Sequence, residues 1–270
     1  LLRRRRPRRG AWQVPRRVGD PRLVRAAARL VAELLVDVAA HSATVPDTGE
    51  PAEPALEALR QAVRAHEYRC VAELLELFRF RKEDYEVSDL PIADGRWGLD
   101  LFSPASLRQF GIRTGRDAVV GGLAGLTVDA FTGGMTLGAA AALGATAGAL
   151  WSGLRTHGRR VVDRLRGYTE LRVHEATLRL LAIRQIDLVQ ALLRRGHASL
   201  ERIRLTPEAE AVRRDWARRR LPTPLQQARA NPGWSRLAGG ESGATADAGR
   251  QAALDALAGT LEANLMAPPG

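Results

Sequence analysis

Cys70, Lys82, the pair His174-Glu175 and the acidic residues Asp84, Asp89, Asp94 and Asp100 are the side chains of this 270-residue sequence whose types suggest chemistry. A nucleotide-binding P-loop requires Gly-x-x-x-x-Gly-Lys followed by Ser or Thr, so that backbone amides and the lysine cradle the phosphates. Lys82, in Arg81-Lys82-Glu83-Asp84, is the sole lysine, and that motif is absent. His174-Glu175 opens like the helix of a zinc protease, but Leu178 stands where the second histidine must be. His41, His66, His157 and His197 show no paired spacing and are expected at the surface or as satisfied structural histidines. Cys70 falls on the apolar face of an expected helix, where a thiol is buried and inert. With a single cysteine, neither an internal disulfide nor a multi-cysteine metal site can form. The four aspartates are spaced irregularly, which favours solvated or capping roles over metal ligation. These readings leave the chain without catalytic, cofactor or metal residues, so it is expected not to be an enzyme.

The elements that hold these residues are helical. Apolar residues make up 45% of the chain and aromatics 5%, so the core must be aliphatic and close-packed. The net charge of +11 is almost entirely arginine and invites a polyanion, either nucleic acid or anionic lipid. The arginine clusters at Arg3 to Arg9 and Arg218-Arg219-Arg220 have no aromatic interleaving, so nucleic acid is the less supported partner. Residues 1–19 are expected as a basic disordered lead-in. Asp20-Pro21 then caps an amphipathic helix to about Ala40. A loop follows to Pro54, and a longer helix spans Ala55 to about Phe80, with Leu59, Val63, Val71 and Leu74 inward and Arg60, Arg64, Glu67 and Glu76 mainly elsewhere. Ser103-Pro104 starts a short helix that ends at Gly111. Further helices are predicted from about His174 to Arg195 and from Pro207 to Arg220, after which Pro222, Pro224 and Pro232 break the chain. No period-two alternation predicts a strand. The fold class is all-α: an antiparallel helical bundle over 20–237, followed by a flexible tail, 238–270, with a weak helix near 250–266.

Residues 117–154 are unlike the rest. Small residues recur four apart, at Gly121 and Gly125, Gly134 and Gly138, and Gly144 and Gly148, with Thr132-Gly133-Gly134 as the turn of a helical hairpin. Each glycine costs roughly 1 kcal/mol of helix propensity against alanine, and close backbone approach between packed helices compensates. From Ala130 to Leu154 there is no ionisable residue, a length able to cross a hydrocarbon layer. Asp117 and Asp129 bracket a first arm too short to span. Two readings stand: a re-entrant or interfacial hairpin on a cytoplasmic membrane face, anchored by Trp151 and Arg155, or a helical core packed through small residues.

Several motifs in order carry a resemblance. They are Phe78-Arg79-Phe80-Arg81, Leu90-Pro91 through Asp94-Gly95-Arg96-Trp97-Gly98-Leu99-Asp100-Leu101-Phe102, Thr132-Gly133-Gly134-Met135-Thr136-Leu137-Gly138, Arg166-Gly167-Tyr168-Thr169-Glu170-Leu171 and Arg195-Gly196-His197-Ala198. Together they resemble the bacterial domain of unknown function, family 3482, that follows a small GTPase domain of the Era-like class. The resemblance implies a GTP-binding domain upstream of Leu1, acting in cis, to which any GTP and Mg belong. It carries no catalytic residue into this chain. It implies a helical effector that meets the inner membrane peripherally, with a protein-interaction domain or an RNA-binding accessory as rivals. Asp94, Gly95, Trp97, Gly98 and Asp100 are assigned to an interface loop.

Overall fold

The structure is a computed structural model that describes residues 20–46, 53–80, 92–93, 96–112, 126–128, 168–195, 207–218, 220–237 and 247–266. The basic lead-in, Asp94, Gly95 and the six hairpin glycines Gly121, Gly125, Gly134, Gly138, Gly144 and Gly148 lie outside the described residues.

Asp20 starts helix α1 (Pro21–Ala40) as its sequence predicts: its carboxylate accepts from the Arg22 amide at 3.0 Å, and Pro21 supplies a first-turn residue that needs no donor. Val24, Ala27, Ala28 and Val31 line one face, but every residue from Leu34 to Ala40 is buried. The last two turns of α1 are therefore the axis of the molecule. His41 turns the backbone extended, and strand β1 (Ser42–Pro46) follows. Helix α2 (Glu53–Leu77) returns along α1. It ends in a left-handed cap: Arg79 has φ 55°, and the Phe80 amide donates to the Leu75 carbonyl at 2.8 Å, closing the wide turn of a Schellman end. The Phe78-Arg79-Phe80 motif thus has a local backbone role.

Strands β2 (Ile92–Ala93) and β3 (Arg96–Trp97) pair antiparallel, with Ile92 opposite Trp97. Helix α3 (Pro104–Gln109) has the expected Ser103 cap, whose hydroxyl accepts from the Ala105 amide at 3.2 Å, and it stops at Gly111 with φ 68°. Strand β4 (Leu126–Val128) and strand β5 (Tyr168–Val173) complete a three-stranded antiparallel sheet in the order β1-β5-β4. Helix α4 (Glu175–Arg195) is buried almost all round its middle, from Leu180 to Val189. Helix α5 (Pro207–Arg218), helix α6 (Thr223–Ala230), a 3-10 turn at Pro232–Trp234 and helix α7 (Ala248–Met266) follow. Helices α2, α4, α6 and α7 all pack on α1. The fold is mostly α, as expected.

Three differences have physical causes. Strands are present: β1 carries Ser42, Thr44 and Pro46 and only five residues, too short and polar to show alternation, while β5 buries Leu171, Arg172 and Val173 in succession. At Leu126–Val128 the backbone is a strand hydrogen-bonded to β5, Leu126 opposite Val173, where the first arm of a helical hairpin was expected. Thr127 and Val128 are β-branched residue types, which favour strand over helix. In the stretch 238–270, expected as a flexible tail with a weak helix near 250–266, the helix is present as α7, but its Ala253, Leu254, Leu257 and Leu261 are buried in the common core. That stripe is narrow and set among many alanines, so its inward face is hard to see in sequence. A smaller correction concerns Pro222 and Pro224, which flank the start of α6 instead of breaking the chain, since proline in a first turn removes no helical hydrogen bond. Among the described residues, no helix is long and apolar enough to cross a membrane.

Candidate functional site

Two buried ionic centres dominate the electrostatics. The first is built on α4. Arg184 is 1% exposed, and taking a guanidinium so far out of water requires that its donors and its charge be answered locally. Its Nη2 donates to the Leu99 carbonyl at 2.6 Å and to Ser106 Oγ at 2.9 Å, while Nη1 donates to Glu67 Oε1 at 3.4 Å. The guanidinium carbon lies 5.3 Å from the centroid of the Trp97 ring and 6.0 Å from that of Phe110, and the two rings meet edge to face at 6.4 Å. Cation-π attraction over desolvated rings adds to the hydrogen bonds. Burial pushes the Glu67 carboxyl up and the Arg184 guanidinium down, each opposed by the other's charge. In each case desolvation outweighs the partner's attraction. Glu67, expected away from the core, is buried because Arg184 and Gln185 reach it from α4.

Asp100 extends this centre outward. Its carboxylate accepts from the Phe102 amide at 2.9 Å and from Arg64 Nε at 2.7 Å, and its own carbonyl accepts from Ser106 Oγ at 2.6 Å. Burial pushes the Asp100 carboxyl up, but the hydrogen bonds from Arg64 and Phe102 more than offset this and hold it below its ordinary value. Arg64 also donates to Glu57 at 2.9 Å and lies over Phe102. On the far side Asp187 of α4 pairs with Arg213 of α5, which lies 5.1 Å from the Phe110 centroid. Of the residues assigned to an interface loop, Trp97 is half-buried against Arg184, Asp100 is ion-paired, and Gly98 is exposed beside them.

The second centre is built on α1. Asp37 has no exposed surface, yet three cationic or imidazole groups from three segments converge on it. Arg250 Nη2 of α7 donates at 2.8 Å, Arg236 Nε of the stretch after α6 at 2.9 Å, and His66 Nε2 of α2 lies 3.2 Å away. Arg250 Nε also donates to the Trp234 carbonyl at 2.9 Å, and Arg236 Nη2 to Glu33 at 2.9 Å. Arg29 links α1 to α7 by pairing with Asp255 and Gln251. Burial pushes the Asp37 carboxyl up, but the hydrogen bonds from His66 and Arg250 and the charges of both arginines more than offset this, leaving it below its ordinary 3.8. The sequence signal was available: a lone acid inside the run Leu34-Leu35-Val36-Asp37-Val38-Ala39-Ala40 must be partnered.

This arrangement makes stability depend on pH. His41 and His174 are both held below their ordinary 6.5, chiefly by burial, so the unfolded chain binds those protons first. Stability should therefore fall as pH drops below about 6.5 and level off once the folded histidines protonate. The Asp37 contribution is full above its unfolded value and is lost only as pH falls through its lower folded value. Urea midpoints measured from pH 8 to pH 2 should decline from about 6.5 downward and again below about 3.8. A flat midpoint between pH 7 and pH 5 would remove the histidine account.

A family model described as Domain of unknown function (DUF3482) matches residues 16–259, from just before α1 to the middle of α7. The chain belongs to this family. Comparison with curated proteins and with solved structures finds no match. In this DUF3482 chain, the motif from Trp97 to Phe102 is the part of the family resemblance whose side chains are best placed, and they hold β3, α2, α3 and α4 together. Cys70 is buried, and burial pushes its thiol up, away from the reactive thiolate. Among the described residues, no three His, Cys, Asp or Glu side chains are grouped to hold a metal ion.

Proposed function

We propose that this chain is a non-catalytic helical effector module that works beside a GTP-binding domain of a bacterial Era-like GTPase. The Arg184 centre carries the reading. A guanidinium, an indole, a phenyl ring and the Glu67 carboxylate that a catalytic or ligand site would present to solvent are turned onto one another, and the outer carboxylate, Asp100, is engaged by Arg64. Such a centre makes several elements move as one body, which suits a part that relays a conformational state. The ordered motifs that resemble the domain following an Era-like GTPase supply the partner, with GTP and Mg assigned to that upstream domain.

The proposal includes a peripheral contact between residues 130–154 and an anionic membrane face. Leu126–Val128 is tied to β5 by backbone hydrogen bonds, so a lipid contact falls after Asp129, in the stretch without ionisable side chains. Flotation with phosphatidylglycerol-containing vesicles tests the membrane part. Binding to anionic but not neutral vesicles, lost on deletion of 130–154, is the expected result, and no flotation refutes it. Reading the coding sequence upstream of Leu1 tests the GTPase part, which fails if no P-loop is there. Salt-sensitive retention on RNA without lipid binding would favour an RNA-binding accessory instead.

A further inference from the structure

The segment Trp234–Leu237 lies across the seam between α1 and α2. Beneath it is a cleft of about 160 Å³ whose lining includes Leu30 and Glu33 of α1, His66 and Cys70 of α2, and Arg236 and Leu237 of the crossing segment. The segment's backbone bonds are mostly to itself and its near neighbours: Trp234 N donates to the Asn231 carbonyl, Ser235 N to the Pro232 carbonyl, and Leu237 N to Ser235 Oγ. Its polar ties to the helices are ionic or charge-assisted, and the Trp234 ring is buried in the common core. Arg236 reaches Asp37 and Glu33 of α1, and the Trp234 carbonyl accepts from Arg250 of α7. The first turn of α7 also bears on the Trp234 ring. A Cβ placed on Gly249 would sit 2.9 Å from Trp234 Cζ2, so only glycine lets the helix start this close.

We propose that Trp234–Leu237 is a strap over the α1–α2 cleft and that the first turn of α7 is the pin that holds it shut. Arg250 fastens the strap twice, directly through the Trp234 carbonyl and indirectly through Asp37, the carboxylate that also holds Arg236. Withdrawing the start of α7 removes the Arg250 bond to the Trp234 carbonyl and the glycine contact together, and leaves the strap held to α1 by the Arg236 pairs with Asp37 and Glu33. On those pairs alone the strap lifts, and His66 and Cys70 meet solvent. These mechanics go beyond the effector reading and do not depend on any upstream domain.

Cys70 is the chain's single thiol and a natural reporter. Its labelling by an aromatic disulfide reagent, followed through a urea series below the unfolding transition, separates local opening from global unfolding by slope. The wild-type chain should label through an opening whose urea dependence is much shallower than that of global unfolding. Gly249→Ala and Arg250→Met should each raise the rate without urea about tenfold or more, with the far-ultraviolet circular dichroism retained. Arg184→Met weakens the other centre, so its global-unfolding component should rise while the component of shallow urea slope stays within about twofold. The strap is refuted if wild-type labelling follows the slope of global unfolding. It is equally refuted if Gly249→Ala labels at the wild-type rate, or if Arg184→Met accelerates the shallow-slope component as much as Arg250→Met does.

Discussion

Arg184→Met should lower unfolding free energy by about 3–5 kcal/mol, the range for removing one partner of a buried ion pair. The loss has several sources. Glu67 is left buried without its cation, so the burial that already pushes its carboxyl up is no longer opposed by the Arg184 charge. The Leu99 carbonyl and Ser106 Oγ lose their guanidinium donor, and the Trp97 and Phe110 rings lose the cation between them. Methionine replaces much of the volume, so the deficit is mainly electrostatic and not that of a cavity. A urea melt at pH 7 measures it, and a loss below about 1 kcal/mol would show that the centre contributes little. Pairing Arg184→Met with Glu67→Leu gives a sharper reading. Both shifts point to a desolvation cost, so the double variant should recover much of the loss, since an apolar pair of similar volume is often as stable as a buried ion pair.

How far the sequence foretold this follows from where each signal is local. Asp20-Pro21 and Ser103-Pro104 announce helix starts because cap and first turn are consecutive residues, and both caps form. Strands β1 and β5 are separated by more than a hundred residues and pair only in three dimensions, so short, weakly alternating segments gave no sign of the sheet. The same distance hides both ionic centres. Arg184 meets Glu67 across 117 positions, and Arg250 meets Asp37 across 213. Each of these residues sits in a helix where its charge is unremarkable until packing turns it inward. The Trp97 motif was visible as a cluster of glycine, aromatic and acidic residues, but its direction was not. A tryptophan beside glycines reads equally well as a surface contact or as a lid over a buried cation, and only Arg184 of a distant helix decides between them.

Asp37→Asn should cost about as much as Arg184→Met, roughly 3–5 kcal/mol, by a different route. The carboxylate is the single anion between Arg236 and Arg250, since Glu33 reaches Arg236 but not Arg250. Asparagine keeps the shape and can still accept one hydrogen bond, but Arg250, itself buried, keeps only the Trp234 carbonyl. With total stabilities of about 5–15 kcal/mol typical of a folded domain, such a loss is a large fraction of the whole. The pH profile distinguishes it from a packing defect. The variant should lose the acid-end decline that comes from the depressed Asp37 carboxyl. The decline that begins near 6.5 should persist, because burial is the first cause of the low His41 value and the Asp37 charge opposes it; without that charge the imidazole resists protonation more strongly. A variant that is less stable at pH 7 yet keeps the wild-type acid limb would place the acid sensitivity on other carboxylates. A double cycle with Arg250→Met closes the argument: the two losses should fall well short of adding, because each removes the same contact between α1 and α7.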